Sequence, residues 1–274
     1  MSLTSFLEIP DVRAKFSLEF QKPKFDVKRE LLAPLILEGH SQLIGTSADY
    51  LLRFYAKYIN HQAEEDEAGW AAEGALRVLK RRGENSLYDL GNVAVIEARE
   101  NYQQFLKTGE FTDELIRSAL LLAKFDPFTR RSDYIVENLE VIDNEDIADL
   151  RNLINIVDPN LFRTQGRVLL NPDFGPGSLL VKGADADLIL DDLLIDIKTI
   201  NKFTFERKAF DQLLGYYVLS LIERRFEPEI KEIRRLGIYF SRHAYLHEFP
   251  VDQVINPKTF PQFLIWFEKR AQEI

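Results

Sequence analysis

Three aspartates and a lysine stand at short, regular intervals in an otherwise apolar run: Asp185, Asp187, Asp196 and Lys198. The run reads Gly183-Ala-Asp-Ala-Asp-Leu-Ile-Leu-Asp-Asp-Leu-Leu-Ile-Asp-Ile-Lys-Thr199. Charges in buried-looking segments are costly and are kept where something uses them. If Asp191-Asp192 is a two-residue hairpin turn, Leu190 pairs with Leu193, Asp187 falls opposite Asp196, and Asp185 falls opposite Lys198. Side chains alternate along a strand, so the three carboxylates and the ammonium then share one face. Carboxylates held so close repel and need a hard divalent cation; the expected cofactor is Mg²⁺, or Mn²⁺ in its place. Such an ion holds a phosphodiester, lowers the pKa of a bound water and steadies the leaving oxygen, while a lysine orients the water or neutralises developing charge. The chemistry these residues suit is phosphodiester hydrolysis.

Asp187-(eight residues)-Asp196-Ile197-Lys198 resembles the bipartite motif of the PD-(D/E)xK nuclease superfamily. Downstream, Gln212-x-x-x-Tyr216 resembles the extra motif of its RecB-like and Cas4-like exonuclease branch, and at spacing i, i+4 the two share one helical face. A bare (D/E)-x-Lys also occurs at Asp26, Glu206 and Glu229, but only the copy at Asp196 has the acidic strand before it and the Gln-x-x-x-Tyr helix after it. The resemblance covers roughly residues 179–221. It implies Asp187 and Asp196 as metal ligands with Asp185 as a third, Lys198 as the water-orienting group, and Gln212 and Tyr216 as supports of substrate or ligand shell. Gly45-Thr-Ser-Ala-Asp49 stands where that branch often has Gly followed four residues later by a metal-binding His. Either Asp49 takes the ligand role or the first motif lies elsewhere. The implied substrate is DNA, single-stranded or with free ends, in repair, recombination or defence. A catalytically silent nucleic-acid-binding module or complex subunit of the same fold is the alternative, and an enzyme acting on RNA or another phosphate ester is a further one.

The rest of the chain has to position these groups. At 274 residues and 46% hydrophobic it can bury a full core, and it is read as one domain. Thirty-five Lys+Arg against 44 Asp+Glu gives a net charge of −9, so contact with a polyanion must be local. Lys202, Arg207 and Lys208 follow the site and offer either a basic rim or a solvated helix start, while Phe203 and Phe205 among them either stack on bases or anchor the loop. Arg242-His243, at the end of a strand, is a further place for a phosphate. His40, His61, His243 and His247 show no metal-like spacing. The absence of cysteine excludes disulfides and thiolate metal sites, and no segment has the roughly 18 apolar residues of a membrane span. The expected setting is soluble and cytoplasmic, without a membrane partner.

Residues 1–160 read as a mostly helical region. Ser47–Gln62, with Ser47 as its cap, Trp70–Arg82 with the acidic start 64–67, Ser86–Lys107 before Gly109, Thr112–Phe125 before Asp126-Pro127, and Asn144–Val157 carry helical spacing. Residues 161–274 read as the nuclease-like α/β core. Val168–Leu170, Leu179–Leu190, Leu193–Ile200, Arg235–Arg242 and Tyr245–Val251 are β-favouring, while Glu206–Phe226 and Pro257–Gln272 are helical. The fold class expected is α+β, a restriction-endonuclease-like PD-(D/E)xK core whose central mixed β-sheet is flanked by helices.

Overall fold

The computed structural model describes residues 2–65, 69–130 and 139–273. Along the chain run α1 (Leu3–Leu7), α2 (Pro10–Glu19), α3 (Ser41–Ile59), β1 (Glu64–Glu65), α4 (Ala71–Arg82), α5 (Asn85–Thr108), α6 (Asp113–Phe125), α7 (Pro127–Arg130) and α8 (Asn144–Asn155). The second half supplies β2 (Val168–Leu170), α9 (Pro176–Leu180), β3 (Leu188–Leu190), β4 (Leu193–Lys198), α10 (Arg207–Phe226), β5 (Arg235–Phe240), β6 (Tyr245–Pro250) and α11 (Phe260–Gln272). This is an α+β arrangement around one six-stranded mixed sheet in the order β1-β2-β3-β4-β5-β6. β1–β2 and β4–β5 are parallel pairs and the others antiparallel; α10 is the crossover that lets β4 and β5 run the same way.

Local signals account for many of these elements. Thr112 accepts from the Leu115 amide at the start of α6, with Asp113 and Glu114 in the favourable first turn. α5 stops where Gly109 takes φ 70°, a left-handed value that costs glycine nothing. Ser47, however, is no cap: α3 begins six residues earlier at Ser41, and the Ser47 hydroxyl bonds back to the Leu43 carbonyl inside the helix. Glu64 and Glu65 form the short edge strand β1 rather than a helix start; of the acidic run, residues 66 and 67 lie outside the described residues. The stretch read as one long strand from Leu179 is instead α9, a turn, and only then β3. Pro176 at the first helical position presets the φ that a helix needs.

Both faces of the sheet are covered. On one, Ile189, Leu194, Leu236 and Ile238 pack with α1, α2, α10 and α11, whose Phe6, Phe16, Phe263 and Phe267 rings meet edge-on or tilted. On the other, Leu188, Leu190, Leu193, Ile195 and Tyr239 meet Phe162 and the α3 residues Leu52 and Ala56. The opposite side of α3, with Ile44, Ala48 and Leu51, belongs to the helical core of α4–α6 and α8. One helix thus holds the helical half against the sheet.

Candidate active site

The hairpin fixes the local register. Leu190 pairs with Leu193, Ile189 with Leu194 and Leu188 with Ile195, and Asp191 takes the left-handed φ of 56° at the turn. Asp191 is held by Thr164, the Arg167 amide and Lys231, and Asp192 by Arg235, so both have structural work. Beyond Leu188 the two strands part. Asp187 Oδ2 accepts the Ile197 amide at 2.6 Å, a side-chain bond where the next ladder bond would stand. The backbone before it follows β2 instead: Asn171 N–H donates to Asp187 O, Ala186 N–H to Pro172 O, and Asp185 bridges Asp173. Asp185 therefore does not lie opposite Lys198, because its strand has turned away from β4.

The fork opens a cleft of about 620 Å³ at the carboxyl end of β4, between α3 and α10. Asp49, Asp185, Asp187, Asp196, Lys198, Gln212 and Tyr216 all line it. In β4, Asp196 and Lys198 point to the same side; the Lys198 ammonium donates to Asp196 Oδ1 at 3.0 Å and to Gln212 Oε1 at 3.2 Å. Because an ammonium can only donate, the Gln212 amide is oriented with its oxygen toward the lysine, and its NH₂ donates to the Tyr216 hydroxyl at 2.9 Å. That leaves the phenol O–H to donate onward. Asp49, on α3, is paired with Arg53 at 2.6 Å. Gly45, one turn earlier, faces Thr199 just past β4, where a Cβ would sit 4.0 Å from the threonine Cβ, so α3 lies close over the end of the strand.

Burial sets the electrostatics. It raises Asp49 to about 7, against the pull of Arg53, with Asp187 and Asp126 adding repulsion. It raises Asp196 to about 6, against the Lys198 ammonium and with the help of Asp187. For Lys198 burial works the other way, but Asp196 and Asp187 outweigh it and the ammonium is held above its ordinary value. Tyr216 is pushed up by burial and then by the Asp187 and Asp196 charges, so it stays a phenol.

No known family, curated protein or solved structure matches this chain.

Two cleft oxygens bear on what the residues present could hold. Asp49 Oδ1 and Asp196 Oδ2 are buried without a hydrogen bond, although Lys198 Nζ lies 2.7 Å from the latter outside hydrogen-bonding geometry. Carboxylate oxygens are hard ligands that suit Mg²⁺ or Mn²⁺, and of the two Asp49 Oδ1 is the one without a cation against it. The three carboxylates do not converge as the flat hairpin predicts. Among the described residues the one trio of candidate ligand atoms within 4.8 Å of one another is His40, Asp143 and Asp146. An ion in the cleft would therefore have to be held by one or two carboxylates, with waters and substrate oxygens completing its shell, as Mg²⁺ accepts.

Sequence reasoning missed the partners that come from far along the chain. Arg53, Asp126 and Asn171 line the cleft, with Asp126 accepting the Tyr50 hydroxyl at 2.8 Å. His40 Nδ1 meets both Asp146 oxygens at 2.9 and 3.0 Å, a pairing across about a hundred residues without a local signal. Other expectations are corrected. Arg242 is buried and paired with Asp149, so it is not available to a phosphate. Phe205 is buried and anchors the loop rather than offering a stacking face, while Phe203 is half-buried and packs against Phe25, Phe240 and His243. No helix among the described residues is long and apolar enough to cross a membrane.

Proposed function

We propose that this chain is a metal-dependent nuclease of the PD-(D/E)xK type, hydrolysing phosphodiester bonds of DNA. The observation that carries this reading is the Asp196–Lys198–Gln212–Tyr216 chain of contacts in a cleft that also holds Asp187 and Asp49. A Mg²⁺ or Mn²⁺ ion, held by Asp196 and Asp187 with Asp49 beside them, would supply Lewis-acid stabilisation of the phosphate and a more acidic water. The protein's own residues divide the remaining work. Lys198, kept charged by two carboxylates, holds the attacking water or offsets charge on the phosphoryl oxygens. Gln212 fixes the ammonium's direction. Tyr216, kept protonated, donates to an oxygen of the substrate or of the ligand shell. Asp185, exposed at the rim, is left with a supporting part.

A binding module without turnover is the second reading, and the dispersed carboxylates favour it: no three of them come within 4.8 Å among the described residues. Incubation with linear and circular DNA in Mg²⁺ or Mn²⁺ separates the two. Cleavage of either form that stops with EDTA is expected. Intact DNA of every form, with binding retained, would leave the module.

A further inference from the structure

Gln212 lines a second cavity as well, of about 350 Å³, between α1–α2 and the first turns of α10. Its charged lining is Glu8, Arg13, Arg207, Lys208 and Asp211. Lys208 is paired with Glu8 and Arg207 with Asp211, which leaves the positive charge of Arg13 in surplus. Arg13 is exposed on α2 and forms no ion pair among the described residues. The basic character continues beyond the cavity. Arg207 also donates to the Phe16 and Phe20 carbonyls, which brings the segment after α2 alongside, and there Lys22 lies 4.6 Å over the Phe205 ring. Arg13, Lys22, Arg207 and Lys208 stand against Glu8 and Asp211, so a chain with a net charge of −9 carries a local excess of two positive charges in a strip that begins at the residue forming the wall of the cleft.

Phosphates are what such a strip recognises, since lysine and arginine neutralising a backbone supply most of the sequence-independent affinity for nucleic acid. The volume lies at the low end of small-ligand sites, about 300–1,000 Å³, room for part of one strand and not for a double helix. The accessible lining is mainly apolar, with Thr4 and Leu7 among the residues that supply it, a surface that suits the sugars between the phosphates. We propose that this cavity holds the sugar-phosphate backbone of one nucleic-acid strand where it runs past Gln212 out of the cleft, with Arg13, Lys208 and Lys22 meeting its phosphates. The proposal rests on the nuclease reading for the direction in which the strand runs.

The test uses the full chain and a fluorescently labelled twenty-nucleotide oligothymidylate in EDTA, with anisotropy read across a salt series. Wild type is compared with a triple variant, Arg13→Gln, Lys22→Gln and Lys208→Gln. Arg207 is left intact because it ties α2 to α10, and the Lys208–Glu8 pair is exposed enough that losing it costs little stability. Equal melting temperatures confirm that the variant folds. The variant should bind about tenfold or more weakly and flatten the slope of log K against log salt by about 2, the value for three single-strand phosphate contacts. Hydrolysis of bis(p-nitrophenyl) phosphate with Mn²⁺, a substrate too short to reach the cavity, should be unchanged. Equal affinity and slope in both proteins would overturn the proposal. So would displacement of the oligonucleotide by inorganic phosphate at matched phosphate concentration, which marks a lone-anion pocket. A strand-binding loss in the variant with no hydrolysis of any phosphodiester by wild type upholds the strand path and removes the nuclease reading.

Discussion

At the scale of single residues, the lysine in β4 is constrained more than its surroundings require. A surface lysine is free to wander; Lys198 is fixed by Asp196 on its own strand and by Gln212 across on α10. Gln212→Leu should remove that second hold and leave the fold intact, slowing single-turnover cleavage by up to about 100-fold, the order of one misplaced catalytic group. A rate equal to wild type would mean the glutamine does not direct the ammonium. Asp49 is a different test. With its Oδ1 buried and unbonded, Asp49→Asn should weaken Mn²⁺ affinity, seen as a smaller ion-induced rise in melting temperature. An undiminished rise would place the ion away from α3. The sequence-local members of the site were legible because twelve residues contain Asp187, Asp196 and Lys198 and one helical turn contains Gln212 and Tyr216. Arg53 and Asp126 were not, since what makes them neighbours is the packing of α3 and α6.

At the scale of elements, two places carry measurable cost. The Arg242–Asp149 pair is fully buried and joins the end of β5 to α8, with a further bond from Arg242 to the Ala33 carbonyl. Arg242→Ala should destabilise the protein by about 3–5 kcal/mol, because it leaves the buried Asp149 carboxylate without its counter-ion and with only the Ile36 amide as donor. Urea denaturation checks it, and a change under about 1 kcal/mol would contradict the account. On α10, Glu223 is raised to about 7 by burial and then by Asp173 and Glu227. The folded state therefore holds a proton more tightly than the unfolded chain, whose carboxyl titrates near 4.5. Stability from this group is full below about 4.5, falls as pH rises toward about 7, and is level above. Glu223→Gln should flatten that decline; a melting-temperature profile with the same slope as wild type would show that the group is not strained. α10, β4, β5 and β6 were readable from period and punctuation. α9 was not, because five residues of Pro-Gly-Ser-Leu-Leu read as turn and strand; it forms where Gly177 lets it lie against the Leu219 backbone, where a Cβ would fall 2.6 Å from the carbonyl oxygen.

At the scale of the whole molecule, the site exists because two halves meet. β4 supplies Asp196 and Lys198, the residue before β3 supplies Asp187, the crossover helix supplies Gln212 and Tyr216, and α3 brings Asp49 from the helical half. The hairpin register could be read from the two aspartates at the turn, but the fork beyond Leu188 could not. It arises because Asp187 uses its side chain, not its backbone, to satisfy Ile197, while its backbone stays with the chain after β2. That fork separates carboxylates which a flat hairpin would have crowded together, and it opens the cleft between α3 and α10. The most direct test of this arrangement is single-turnover cleavage of labelled DNA in Mn²⁺ by wild type and Lys198→Ala, with the Mn²⁺-induced rise in melting temperature recorded for both. The account predicts a rate loss of about 100-fold or more in the variant, as for loss of a single charge-stabilising group, with the melting-temperature rise retained. Equal rates in the two proteins would contradict it.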